Sequence, residues 1–417
     1  MARLLISAFS CFPGEGSEPG VGWKSVAEAA KAHEVWVITD CARREALLAH
    51  PEVKALPNVH WKFQRVPLLS AWAHGPWSNT GVWWLYYLAW QVAQAGTAKR
   101  LHREVGFDLC HHATYVKYNT PSWLPSLGIP FLWGPVGGGE RVPLTFFRNH
   151  GWKTLITEAI RVGLQKLAVI DVCLRWTASQ CTRALAVTRE TESEMWTLGA
   201  RQTGLLPAVS LDDVELETIR RSADDPTTRA DVGDLTLLFV GRLIPWKGVD
   251  LAIRALAASD REDLRFRVIG EGPERSRLEG LAASLGIAGR VEFAGVLPRD
   301  EVLAAYGHAD GFLYPSLHDS GGQVVLEAMA AGLPVICLRV GGPNTLVDEG
   351  SGWKVTAREP RQVVTDLAES LREFASGREL RMARGISART RAARTFSAGE
   401  FGRHLRKHYA DLLGGAG

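Results

Sequence analysis

Short apolar runs recur along the chain, each closed by glycine or polar residues and followed by a stretch with helical spacing. Arg3 to Phe9 is the first such run. The loop after it, from Ser10 to Gly22, is rich in glycine, and the pattern predicts a helix from about Trp23 to His33 and a strand over His33–Ile38. Phe107–His112, Pro130–Trp133 and Ala184–Val187 add further strands. A polar run from Arg220 to Asp234 has no apolar periodicity and reads as a linker. A second series then begins at Leu235–Val240 and continues through Arg265–Ile269, Arg290–Phe293, Phe312–Tyr314 and Val335–Leu338. Strands alternating with helices predict an α/β protein of two doubly wound halves, similar in style without being a sequence repeat.

The most informative stretch runs from Tyr314 to Gly342. Pro315 breaks the strand, Asp319, Ser320, Gly321 and Gly322 form a turn, and Val325, Leu326, Met329 and Ala330 recur at helical spacing. Gly332 sits where a C′ glycine belongs, and Pro334 precedes the next strand. Two glycines at a helix start expose backbone N–H groups at the positive end of the helix dipole, which is a seat for phosphate. Asp319 and Glu327 lie eight positions apart, roughly 12 Å along a helix at the standard rise. That exceeds the ~5–9.5 Å between the two carboxylates of a glycoside hydrolase. They suit opposite ends of one elongated ligand.

Arg242 and Lys247 stand five residues apart, at the end of the strand Leu235–Val240 and at the helix start that follows. Two cations beside free amides neutralise a diphosphate, Arg in bidentate fashion and Lys as a point charge. In the first half, Gly16, Gly20 and Gly22 follow the first strand in a GxxxGxG spacing that is not the dinucleotide fingerprint. They lie at a strand's carboxyl end, where ligands of such folds bind. His111 and His112 close another strand, and Gly137, Gly138 and Gly139 supply a second loop beside Glu140 and Arg141.

Two segments carry unusual apolar content. Residues 67–100 crowd Trp72, Trp77, Trp83, Trp84, Tyr86, Tyr87 and Trp90 together, as a core helix or an acceptor-binding or interfacial one. Leu155 to Trp176 mixes aliphatics with Arg161, Lys166 and Arg175, as a packed surface helix or one resting on a bilayer.

Composition narrows the field. The chain has 417 residues, 46% hydrophobic and 22% charged, with a mean hydropathy of −0.04, as for a soluble globular protein of two to three domains. Residues 1–200 carry 20 Lys+Arg against 15 Asp+Glu, a net +5, and the remainder 28 against 30, a net −2. That bias is too weak for nucleic-acid binding, but it suits an anionic membrane surface or a phosphorylated acceptor. The six cysteines are scattered without CxxC or a Cys/His ligand set, as for reduced cytosolic thiols. MARLLISAF reads as a strand rather than a signal peptide, and no apolar segment reaches the length of a membrane span.

The segments FVGRLIPWKGVDLAIRAL, VIGEGPERSRLEGLA, VEFAGVLPRDEV and PSLHDSGGQVVLEAMAAGLPVICLRVGGPNTLVDEGSGW together resemble the C-terminal domain of family 4 glycosyltransferases. The likeness is strong over about residues 235–355 and looser before it. It implies a GT-B fold: two Rossmann-like domains facing across a cleft, with an acceptor-side domain over 1–210, a linker over 211–234, a nucleotide-sugar domain over 235–395 and a helix over 396–417 crossing back.

It also implies a retaining, metal-independent transfer from a UDP- or GDP-linked sugar to a lipid-linked, polysaccharide or small-molecule acceptor. No cofactor or nucleic acid is expected. The protein would be cytoplasmic, with peripheral membrane contact through its N-terminal domain at the inner face of the membrane.

Residue by residue, Arg242 and Lys247 would hold the diphosphate with the backbone of Gly321, Gly322, Gln323 and Val324. Glu327 would bind the ribose. Asp319 takes the place of the family's usual Glu, the sugar contact, one methylene shorter. His111 or His112 matches the cleft histidine, and the resemblance does not decide between them. Gly16, Gly20, Gly22 and Gly138 would line the cleft loops. A nucleotide-sugar epimerase on the same fold and a non-catalytic nucleotide-sugar-binding protein are the rival expectations; a phosphorylase would need a cofactor lysine that the sequence does not place.

Overall fold

A computed structural model describes residues 1–67, 69–70, 81–223 and 233–414. Trp72 and Trp77, and most of the polar run before Asp234, lie outside the described residues. The chain divides into two compact units, one of Met1–Gly139, Gln165–Ala208 and Phe401–Gly417, the other of Glu140–Leu164 and Val209–Glu400. This differs from a division at 210: residues 140–164 group with the second unit. Phe146 and Phe147 explain why, since both are buried in the second unit's core.

The first unit holds a seven-stranded parallel sheet. Its strands are β1 (Arg3–Ser7), β2 (Glu34–Asp40), β3 (Val59–Gln64), β4 (Leu109–His112), β5 (Phe131–Val136), β6 (Arg183–Ala186) and β7 (Thr203–Leu205), in spatial order β3-β2-β1-β4-β5-β6-β7. The second sheet, of six parallel strands, comprises β8 (Leu235–Val240), β9 (Leu264–Ile269), β10 (Val291–Gly295), β11 (Gly311–Tyr314), β12 (Val335–Leu338) and β13 (Gly352–Val355). Its order is β10-β9-β8-β11-β12-β13. Both orders reverse direction beside the first strand of their series, the point at which an open α/β sheet leaves a crevice at its carboxyl edge.

The helix expected from Trp23 begins earlier, at Ser17, because Ser17-Glu18-Pro19 is a sound first turn and the glycines at 20 and 22 are helical. A Cβ on Gly22 would lie 2.2 Å from the Ser10 carbonyl oxygen, so this glycine lets the preceding loop fold onto the helix. The aromatic segment forms the helix Gly81–Val105. Tyr86, Tyr87 and Trp90 are buried, and with Trp83 and Tyr115 they surround the Phe9 ring in edge contacts 5.0–6.1 Å apart. The core role therefore holds for these residues.

In the second unit, the basic helix Arg378–Thr395 acts as a rack of C-caps. Arg381 donates to the carbonyls of Phe374 and Ala375 at the end of Pro360–Ser376. Arg389 donates to Ala331 just after Gln323–Ala330, and Arg391 to Leu346 at the end of Gly341–Leu346. Each guanidinium meets carbonyls left without intrahelical partners, at the negative end of a helix dipole.

Candidate donor site at the switch point of the second sheet

The site grows from loops at the carboxyl ends of β8 and β11, the adjacent strands at which the sheet order reverses. These loops are held by backbone rather than by long side chains. Leu317 N–H donates to Trp246 O at 2.8 Å, and Gly342 N–H to Asp319 O at 2.7 Å. Gly248 has φ +66°, and a Cβ there would sit 2.2 Å from Pro315 O; a Cβ on Gly342 would sit 2.4 Å from Gly321 O. Any other residue at either position would push the loops apart.

Asp319 is the hub. Its Oδ2 receives Lys247 Nζ at 2.7 Å and Tyr314 OH at 2.6 Å, while Lys247 also donates to the Tyr314 hydroxyl. Its Oδ1 accepts the N–H groups of Gly321 (3.2 Å) and Gly322 (2.9 Å). Burial pushes the Asp319 pKa up, but the Lys247 ammonium, the Tyr314 hydroxyl and the Gly322 amide together outweigh it and hold the carboxyl below its usual range.

Two amides expected to face a phosphate are therefore taken by Asp319 itself. The helix begins at Gln323 after Gly322 in the left-handed conformation, and among the described residues the N–H groups of Gln323 and Val324 make no hydrogen bond. The free donors thus lie one or two residues further on than the glycines. Arg242 is exposed and makes no side-chain hydrogen bond or ion pair among the described residues, so its charge is available to a ligand.

Glu327 is buried in the second turn of the helix. Arg299 grips it in bidentate fashion, Nη1 to Oε2 at 2.9 Å and Nη2 to Oε1 at 2.8 Å, and Tyr306 OH donates to Oε2 at 3.0 Å. Oε2 is thereby filled, and Oε1 keeps one acceptor position. Sequence reasoning missed Arg299 and Tyr306, since neither lies near Glu327 in the chain. It also gave Glu140 no role beyond a loop wall. Glu140 is fully buried, its Oε2 accepting Ser320 Oγ at 2.9 Å with His318 Nδ1 at 3.7 Å. No periodicity or motif announces a carboxylate brought in from 180 residues away.

The first unit treats its histidines otherwise. His111 is fully buried, with Nε2 donating to Gly134 O at 2.6 Å and Nδ1 accepting from Tyr409 OH at 2.7 Å. His112 is buried, and its Nε2 accepts from Gln91 Nε2 at 3.1 Å. Burial drives both toward the neutral form, His111 to about 4 and His112 to about 3. Both rings are packed in the core; His111 has both nitrogens engaged, and His112 keeps a buried Nδ1 without a hydrogen-bond partner among the described residues. Gly20 and Gly22 are helix-packing positions, Gly16 precedes the helix in open space, and Gly138 turns its loop at φ +93°. Arg242, Lys247, Asp319, Gly321, Gly322, Gln323, Val324 and Glu327 fall on adjoining loops and one helix of the second unit, while the histidines and the other glycines fall in the first.

Two doubly wound parallel sheets in one chain fit the GT-B fold, and the comparison with solved structures agrees. The chain superposes on sucrose-phosphate synthase from Thermosynechococcus elongatus with a TM-score of 0.63 over 100% of both chains, at 18% identity. Residues 221–391 match the family model "Glycosyl transferases group 1". The chain is 38% identical over 229 residues to D-inositol 3-phosphate glycosyltransferase of Thermobispora bispora, covering 51% of each. It is 31% identical over 259 residues to GDP-mannose-dependent alpha-(1-6)-phosphatidylinositol monomannoside mannosyltransferase of Mycolicibacterium smegmatis, covering 56% of this chain and 66% of that one. Residues 221–391 are thus similar to the group 1 glycosyltransferases, as are the relatives that share this part of the chain. The matches span only about half to two thirds of these relatives' lengths.

Proposed function

We propose that the protein moves a sugar from a nucleoside diphosphate to an acceptor hydroxyl, with retention at the anomeric carbon and without a metal. The observation that carries this is the set of groups on the loops at the switch point of the second sheet: Arg242 and the N–H groups of Gln323 and Val324, all without partners among the described residues, and Lys247 five residues after Arg242. Arg242, Lys247 and the helix start hold the diphosphate. Oε1 of Glu327 takes a ribose hydroxyl, and Asp319 positions Lys247 and the glycine turn beneath the sugar.

Cleavage of the bond between the anomeric carbon and the diphosphate oxygen leaves negative charge on the phosphate and positive charge on the sugar. Two cations and a helix dipole aimed at the phosphate stabilise the first of these as it develops. The acceptor oxygen bonds to the anomeric carbon on the face the diphosphate leaves, and its proton passes to the departing phosphate oxygen. UDP- and GDP-sugars both fit this chemistry, as do lipid-linked, polysaccharide and small-molecule acceptors. The mannosyltransferase relative, whose name specifies GDP-mannose and a phosphatidylinositol monomannoside, favours a lipid-linked acceptor used at a membrane surface.

Nucleotide release from a panel of UDP- and GDP-sugars, in wild type and Lys247→Ala, tests the assignment. Release by wild type that falls steeply in the variant is expected; equal release in the two would overturn it.

A further inference from the structure

We propose that the helix Trp152–Leu167, with its continuation to Val172, is a docking face for an anionic lipid bilayer. The helix is inside out. Trp152, Ile156, Ile160, Leu164 and Leu167 follow one another at spacings of four, four, four and three, which places them on a single stripe, and each is 49–69% exposed. The buried positions of the same helix include Glu158 and Gln165. Glu158 is occupied by Arg161, and Gln165 donates to Gly138 O at 3.1 Å. A helix that served only the fold would turn its isoleucines inward and its glutamate outward.

Beyond Leu167 the apolar character continues, with Ile170 72% and Val172 78% exposed. The charges beside the stripe choose the occupant. Lys153, Lys166 and Arg175 are exposed, while the one exposed acid in the segment, Asp171, spends its carboxylate capping the next helix at Leu174 N. Glu158 is buried and paired. A second copy of this chain would bring the same cations against one another. An anionic membrane surface meets them with opposite charge and takes the Trp and aliphatic side chains into its interfacial layer.

The same helix reaches the candidate donor site: Arg161 Nη1 donates to Glu140 O at 3.5 Å, and the Glu140 carboxylate holds Ser320, the neighbour of Asp319. Docking here brings a membrane-borne acceptor toward the donor loop. That consequence rests on the proposed transferase activity; the docking does not. Among the described residues no helix is long and apolar enough to cross a membrane, so attachment would be at the surface.

The test is co-sedimentation of the full chain with phosphatidylcholine vesicles with and without phosphatidylglycerol, for wild type and for Ile156→Glu/Ile160→Glu. Both substituted side chains are exposed, and the rise in melting temperature on adding UDP or GDP reports whether the donor site is intact. Wild type should pellet with phosphatidylglycerol vesicles, and the variant should lose roughly tenfold or more of that binding while keeping its nucleotide response. Wild type remaining in the supernatant, or equal pelleting of the two proteins, overturns the proposal. So does a wild-type dimer in light scattering that the variant splits without any lipid dependence. Vesicle binding without a nucleotide response in either protein upholds docking and removes the transferase reading instead.

Discussion

The two sheets reverse at the same place in their strand order, and the strand ends there carry opposite chemistry. In the second sheet, β8 and β11 end in loops with Arg242, Lys247 and Asp319, and among the described residues the cluster keeps a cation and two amides unspent. In the first, β4 ends in two histidines held neutral by burial, one locked between a backbone carbonyl and Tyr409 of the C-terminal helix Ala398–Gly414. Topology supplies a crevice. Whether it becomes a site depends on whether polar groups remain unsatisfied once the core has closed.

The contrast breaks most sharply at Lys247. Lys247→Ala removes one of the two cations proposed to hold the diphosphate and leaves buried Asp319 without its counter-charge. Transfer should fall about 10²–10³-fold, the usual loss for one preorganised electrostatic contact, measured as kcat/KM for nucleotide release. His111→Phe should do the reverse. It strands Gly134 O and the Tyr409 hydroxyl, at about 1–3 kcal/mol for each unsatisfied group, read from the denaturant midpoint. Its nucleotide affinity should match wild type; a loss of turnover beyond the loss of folded protein would return His111 to the catalytic machinery.

Glu327 tests the middle of the range. Arg299→Ala removes the bidentate partner of a buried carboxylate, so stability should fall by about 1–3 kcal/mol, with the nucleotide affinity changing as well because Oε1 loses its orientation.

The smallest effect concerns pH. His150, buried beside Asp250 (3.5 Å) and Glu274 (2.8 Å), has its pKa raised: burial and Arg277 push it down, and the two carboxylates outweigh them. A raised folded pKa stabilises the protein below the unfolded value of about 6.5, and that contribution disappears as pH rises through the folded value. Melting curves across this window should show a shallow decline of about a degree or two that is absent in His150→Gln.

Much of the second unit was legible because local signals agreed. Gly332 does end its helix at positive φ, Gly248 does precede one, and the turn Asp319–Gly322 does start another. What stayed hidden was long-range. Asp319 reads as a cap or a ligand contact, and only the fold brings Lys247 and Tyr314 onto the same oxygen. Arg299, Tyr306 and Glu140 reach the site from distant segments, and nothing in their own surroundings marks them. The histidines differ between themselves in a way the chain does not announce. Residues 134 and 409 engage both nitrogens of His111, while residue 91 engages one nitrogen of His112 and leaves Nδ1 without a partner among the described residues. The strands β3, β7 and β13 went unseen because each lacks a strong apolar run.

The central claim is that the switch point of the second sheet binds a nucleoside diphosphate through Arg242, which has no ion pair among the described residues, together with Lys247. Calorimetric titration of UDP and GDP into wild type and Arg242→Ala tests it most directly, because Arg242 is exposed and its removal should leave the fold unchanged. One of the two nucleotides should bind wild type, and the variant should bind it about tenfold more weakly at an unchanged melting temperature. Equal affinity in the two proteins, or no binding of either nucleotide to wild type, would contradict the account.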